Sequence, residues 1–294
     1  MALQIVPNPA AKRCGFRIIE RRGGRWFVHL DARHSAPDTP VPDPTFDGTV
    51  KRGSATCPCC GYTTPVVSVR KQLKARHGGA NDARLLCVVS TRPDQTGRFY
   101  RLPIEADLAA VRRAAEELAR RRAAHTGDLS LVPQEVISLN EIRRISVPVY
   151  GIERWGDLFT ARQLLALTTL ARLVTEAGKT MAADHAGAEF AQAVQACLAL
   201  SLGRVTDLAN SLCGWTLDRQ CTKGLFRRQA IPMVWDFAES ACTGESAGAW
   251  GHGVSSSTGS PTCCPRSQDS LGPGAANRRV RRRVHCPTTR RRRW

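Results

Sequence analysis

Apolar residues recur at every second position early in the chain and at every third or fourth position later, so strands should give way to helices. Residues 15–20 (GFRIIE) and 25–30 (RWFVHL) read as two short strands. Gly23 and Gly24 between them can take positive φ, which predicts a hairpin. Residues 35–49 are rich in Pro, Asp and Thr and read as a loop. Residues 66–76 can form a short basic helix. Residues 84–90 (RLLCVVS) read as a buried strand and 98–102 (RFYRL) as its hairpin neighbour, with Asp94-Gln95-Thr96-Gly97 as the turn. Tyr100 and its flanking arginines suit either nucleic-acid contact or, more simply, a half-exposed strand face.

The helical pattern begins at Pro103, Glu105 and Asp107, which open a helix that should run to about His125. Its apolar stripe is Leu108, Val111, Ala115 and Leu118. Arg112, Arg113 and Arg120 to Arg122 lie elsewhere on it, facing phosphates or, more simply, solvent. Residues 128–157, broken by Pro133, Pro148 and Gly151, look irregular. Thr160 and Gln163 form a capping box for a helix with Leu164, Leu167, Ala171 and Val174 on one face and Gly178 as its stop. The next helix, from about Asp184, is apolar on nearly every side through Phe190, Val194, Cys197, Leu198, Leu200 and Leu202, and such a helix is expected to be buried. It should continue past Gly203 to Val205, Leu208 and Leu212. Asp207 and Asn210 are its polar exceptions, best explained by internal hydrogen bonds.

Beyond it, residues 225–239 (LFRRQAIPMVWDFAE) carry an apolar run that Pro232 keeps from being an uninterrupted helix. The run ends on Trp235-Asp236-Phe237-Ala238-Glu239, two rings alternating with two carboxylates. On pattern alone this is a buried strand or turn meeting the surface.

Composition narrows the class. With 294 residues, 42% of them hydrophobic, the chain can bury a core. No run approaches the ~20 apolar residues of a membrane span, and no signal peptide is visible, so a cytoplasmic location and no membrane partner are expected. The twelve cysteines are then reduced thiols or metal ligands. The net charge of +18 is uneven: residues 251–294 hold ten arginines and one acid. A basic balance suits phosphate contact.

Cys57 and Cys60 stand in C-x-x-C spacing with Gly61 behind them, which lets two thiolates from one turn reach one zinc. A structural site needs four ligands and this is one pair, with Cys59 able to replace either member. Cys14, His77 and Cys87 are single. The expectation is a half-site: zinc held weakly by Cys57, Cys60 and improvised ligands, or cysteines without metal.

Three stretches together resemble a known family: Gly53-Ser54-Ala55-Thr56-Cys57-Pro58-Cys59-Cys60-Gly61-Tyr62-Thr63-Thr64-Pro65, the segment from Gly151-Ile152 to Phe159-Thr160-Ala161-Arg162-Gln163-Leu164, and residues 225–239 with Gly248-Ala249-Trp250. They resemble the adenine-specific DNA methylases that carry a zinc-ribbon insert. The resemblance spans roughly residues 15–250. It implies a class I methyltransferase-like parent that transfers a methyl group from S-adenosylmethionine to adenine N6 in DNA, on a base extruded from the duplex. It also implies that Gln229, Trp235, Asp236, Phe237 and Glu239 lie near the substrate.

Two family features are missing. Neither the Gly-rich cofactor loop nor the Asp-Pro-Pro-Tyr motif is present; Asp43-Pro44-Thr45-Phe46 lacks the second Pro and sits in a loop. Ser240-Ala241-Cys242 stand where the family tends to carry Asn-Pro-Phe. No residue is therefore assigned a catalytic role, S-adenosylmethionine is not expected to bind this chain, and the missing methyltransferase portions become candidate partners.

The expected fold is α+β: a β-rich, zinc-ribbon-like half (1–102) with a half knuckle, a mainly helical methyltransferase-associated region (103–250), and a disordered basic tail (251–294). The helical layer should leave apolar patches exposed where a methyltransferase sheet would cover it. The tail is expected to be out of frame. His285-Cys286-Pro287-Thr288-Thr289-Arg290-Arg291, read two nucleotides later with CGN arginines, permits Leu-Pro-Asp-Asp followed by Ala, similar to what the family carries before Asp-Pro-Pro-Tyr. The functional expectation is an inactive fragment of an adenine-specific DNA methyltransferase; the alternative is a non-catalytic, zinc-ribbon-like nucleic-acid-binding protein.

Overall fold

The structure is a computed structural model. It describes residues 50–57, 61–81, 83–92, 95–138, 145–184, 187–216, 219–226, 230–244 and 247–257, with backbone alone at 95–97 and 255–257, and the backbone of four strands within 2–41. Helices and small antiparallel sheets alternate along it.

The four strands, β1 (Ala2–Asn8), β2 (Arg13–Arg22), β3 (Arg25–Leu30) and β4 (Pro40–Val41), form a meander in chain order. The expected hairpin is β2–β3, closed by Arg22 opposite Arg25, with a bulge between Ile18 and Ile19. β1 was not anticipated. Its Pro7 is tolerated because β1 is an edge strand.

β5 (Val50–Lys51), β6 (Ser54–Thr56) and β7 (Thr63–Thr64) make a second sheet. Arg52 and Gly53, both at positive φ, close its first turn in two residues. The basic helix follows as α1 (Val66–Lys74). β8 (Val88–Arg92) and β9 (Gln95–Arg101) form a hairpin that starts later than the pattern predicts. Arg92 pairs with Gln95, so Gln95 to Gly97 belong to β9 instead of the expected turn, and residues 84–87 stay outside the ladder. β8 is half-buried to exposed, not buried. Tyr100 is 4% exposed and packs edge-on against Trp215, so it belongs to the core and offers no face to a nucleic acid.

α2 (Glu105–Ala123) is opened by Asp107, whose carboxylate accepts from the Ile104 amide at 2.9 Å and from both Arg101 terminal nitrogens at 2.5 and 2.9 Å. The Arg101 hydrogen bonds hold the Asp107 pKa down at about 2. Of the expected stripe only Leu118 is buried; Leu108 and Ala115 are exposed, and Val111, Ala115 and Leu118 border an open cleft of about 250 Å³. The helix's arginines mostly pair within it: Arg112 with Glu105, Arg120 and Arg121 with Glu117. Arg121 also donates to Thr169 of the next helix at 2.7 Å.

That helix, α3 (Ala161–Ala183), begins at the expected capping box but runs through Gly178. Gly178 marks a close approach instead of a stop: a Cβ there would come within 2.6 Å of the Gln195 side chain of α4 (Ala188–Leu208). α4 departs further from expectation. It buries Ala191, Ser201, Val205 and Leu208, yet Phe190 (59% exposed), Cys197 and Leu200 (73%) face outward. A helix apolar all round is buried only where neighbours surround it, and none among the described residues covers this side. Among the described residues, α4 thus leaves large apolar side chains exposed.

α4 ends at Leu208, followed by β10 (Gly214–Thr216) and β11 (Cys221–Lys223). A further helix, α5 (Trp250–Ser257), packs on α4 with Gly253 against Val205 and Ser201. The first seven residues of the expected disordered tail are thus helical, since Gly253 permits that contact. Residues 258–294, with the expected change of frame, lie outside the described residues. The core joins Leu118, Leu164 and Leu167 to the irregular 130–160 region (Ile137, Val147, Ile152, Leu158) and to Val205, Leu212 and Ile231. Among the described residues no helix is long and apolar enough to cross a membrane.

Candidate functional site

Residues 225–226 and 230–240 lie as a strap across this core, pinned at several points. At its entry the Leu225 amide donates to the Asp207 carbonyl at 3.1 Å and the Phe226 amide to Asp207 Oδ1 at 2.7 Å. Ile231 then makes a single parallel bridge to Ile145, and its carbonyl accepts from Ser146 at 3.1 Å. Pro232 has no N–H with which to extend a ladder, so the chain turns outward. Trp235 and Asp236 emerge at the surface, Phe237 stays half-buried, and the Ala238 amide donates to the Cys213 carbonyl at 2.8 Å. Ser240 closes the strap on Thr222, hydroxyl to hydroxyl, at 2.6 Å.

The strap gathers the three motif segments. Glu239 Oε2 pairs with the Arg162 guanidinium at 2.8 Å, joining the third segment to the second. Trp235 packs edge-on against Tyr150, ring centres 5.5 Å apart, directly beside Gly151. Tyr150 in turn lies over the first segment: a Cβ on Gly53 would stand 3.3 Å from its hydroxyl. The Arg70 guanidinium of α1 sits 5.3 Å from the Tyr150 ring centre. Of the residues expected near the substrate, Trp235, Asp236, Phe237 and Glu239 are therefore on one strap, while Gln229 lies outside the described residues. Arg70 and Tyr150 carried no expectation of a role. The only signal for Tyr150 was the glycine after it.

Asp207 and Asn210 are tied internally, as expected. Asn210 donates to the carbonyls of Thr206 and Asp207 and accepts from the Leu212 amide. The departure from Asn-Pro-Phe is also structural. Ser240 leaves no room for a Cβ on Gly248, which adopts φ +96°, and the Cys242 carbonyl accepts from Trp250.

Near the Arg162–Glu239 pair, two buried side-chain atoms have no partner among the described residues: Gln163 Nε2 and Glu239 Oε1. The capping box uses the other end of Gln163, whose Oε1 accepts from the Thr160 amide at 2.9 Å. A donor and an acceptor thus remain for a bound polar group or water. Since Arg162 and Glu239 are mostly covered, removing one partner strands the other. Arg162→Ala is expected to lower stability by about 2 kcal/mol, and adding Glu239→Gln to recover much of it. Urea unfolding of both single variants and the double variant checks this; strictly additive losses would contradict it.

At the knuckle, the Gly61 amide donates to the Cys57 carbonyl at 2.9 Å and the Cys57 amide to the Tyr62 carbonyl at 2.8 Å, with Gly61 at φ +73°. These bonds bring Gly61 and Tyr62 back to Cys57, while residues 58–60, Cys59 and Cys60 among them, lie outside the described residues. Among the described residues no three His, Cys, Asp or Glu side chains gather to hold a metal. Cys87 is half-buried, and burial pushes its thiol up to about 11, far from a ready thiolate ligand.

Burial likewise raises Cys213 to about 11 and, with the nearby Glu239 charge, raises Cys242. Cys197 is exposed. Under native conditions iodoacetamide should label Cys197 at least about tenfold faster than Cys213, read by peptide mapping. Comparable rates would mean that the 207–213 turn opens freely.

Comparison of the chain with known protein families, curated proteins and solved structures finds no match.

Proposed function

We propose that the chain is the non-catalytic, target-proximal part of an adenine-specific DNA methyltransferase: a zinc-ribbon-like half followed by a helical layer, acting on DNA in the cytoplasm. The observation that carries the reading is the convergence of the three motif segments, through Gly53 on Tyr150, Tyr150 on Trp235, and Arg162 on Glu239. The outward apolar side of α4 suits packing against the missing methyltransferase portions. Those portions, not this chain, would bind S-adenosylmethionine and supply the Asp-Pro-Pro-Tyr chemistry. Cys57 and Cys60 are the proposed zinc ligands, and with only two of them the metal should be lost to mild chelation.

Two measurements test the reading. Incubated with labelled S-adenosylmethionine and adenine-containing DNA, the chain alone should transfer no methyl group. Sequencing the gene through codon 250 and onward should reveal an alternative frame encoding an Asp-Pro-Pro-Tyr-like segment. Methyl transfer by the chain alone would overturn the non-catalytic assignment, and the absence of that segment from both alternative frames would overturn the family assignment.

A further inference from the structure

The surface around α1 combines charge with exposed rings. Residues 48–81 contain Lys51, Arg52, Arg70, Lys71, Lys74 and Arg76 and no Asp or Glu. α1 buries Val69 and turns Val67, Arg70, Lys71 and Lys74 to solvent, successive positions of one helical face. This face does not end at the helix. Arg70 lies on the Tyr150 ring, and Tyr150 holds Trp235 edge-on, with Trp235 42% exposed. Tyr62, at the β7 end of the same helix, is 67% exposed. The exposed cations of α1 are thus joined through Arg70 and Tyr150 to the exposed Trp235 ring.

We propose that this surface binds single-stranded nucleic acid, with a base stacked on Trp235 and the adjoining phosphates held by Arg70, Lys71 and Lys74. A positive track with interleaved aromatics is the arrangement that grips a flexible strand, because every base offers a π-face and every linkage a charge. A duplex hides its base faces and would use only the cations. Asp236, exposed beside Trp235, repels a phosphate at that point and so favours a base there. The Arg70–Tyr150 contact positions the ring and leaves the rest of the guanidinium edge for hydrogen bonding. The proposal stands on charge and ring geometry, so it survives if the methylase reading fails.

Fluorescence anisotropy with the full chain, a labelled 15-nucleotide oligothymidine and a 15-base-pair duplex tests it across a salt series. The single strand should bind more tightly than the duplex. Trp235→Ala should weaken single-strand binding about tenfold with little change in salt dependence. The pair Lys71→Gln and Lys74→Gln should weaken binding to both probes and flatten the salt dependence by about two ions. These side chains are exposed, so circular dichroism should remain unchanged. Binding indifferent to all three substitutions would assign it to the arginines after residue 277 and overturn the proposal. Tighter binding of the duplex, or of neither probe, would overturn it as well.

Discussion

Gly151→Ala is expected to destabilise the chain by more than about 3 kcal/mol, enough to unfold a large fraction of a marginal domain. Gly151 adopts φ +99°, where an L side chain is strained. Space is the larger obstacle. A Cβ would stand 2.6 Å from Lys74 Cα, 2.8 Å from the Leu73 carbonyl oxygen and 3.0 Å from the Gly78 amide nitrogen, all backbone atoms. A flexible side chain could rotate away, but a helix end cannot. α1 would have to separate from the 147–150 turn, carrying Arg70 off Tyr150 and removing support from Trp235. Thermal and urea unfolding check the magnitude. A useful contrast is Gly61→Ala, also at positive φ but with nothing within 4 Å among the described residues, which should cost only about 1 kcal/mol. Similar losses at the two positions would show that the close approach at Gly151 is not what matters.

The same glycine shows how much the sequence reveals. A breaker at Gly151 was legible; its reason was not, because the opposing atoms lie more than seventy positions upstream in the chain. Local rules did well where the signal is local. The Thr160–Gln163 capping box, the start of α2 at Glu105 and the β2–β3 hairpin need only neighbouring residues. They failed where tertiary contact decides. Gly178 looked like a helix stop because local propensity says nothing of Gln195 approaching from α4. α4 looked buried because its composition cannot show which sides acquire neighbours. Tyr100 looked like a surface residue until Trp215, far along the chain, covered it. The candidate site divides the same way. Trp235 to Glu239 stand out as a patterned segment, but the pairing of Glu239 with Arg162 and of Trp235 with Tyr150 has no sequence period to announce it.

The strap's position depends above all on Asp207, and Asp207→Ala is expected to cost about 3 kcal/mol. Asp207 is 9% exposed. Oδ1 accepts the Phe226 amide at 2.7 Å, and Oδ2 receives Arg204 at 3.3 Å. The two bonds are unequal. Arg204 is half exposed, so its pairing is screened and Arg204→Ala should cost under about 1 kcal/mol. The Phe226 amide lies in a part-buried stretch, where losing its acceptor leaves a donor unsatisfied. Gly224 adds a packing constraint, since its own Cβ would meet the Asp207 carboxylate at 2.3 Å. The turn is thus shaped around that carboxylate, and alanine leaves a void as well as an orphan amide. Asp207→Asn keeps an acceptor and nearly the same volume, so it should recover at least half of the loss. Urea unfolding ranks the three variants. A loss for Asp207→Ala no greater than that for Arg204→Ala would mean that the Phe226 amide bond contributes little and that the strap is anchored elsewhere. If the backbone bond is the anchor, hydrogen exchange should quicken at Phe226 and Ala238 in Asp207→Ala before it quickens in α3, because the strap would open as a unit while the helical layer stays closed.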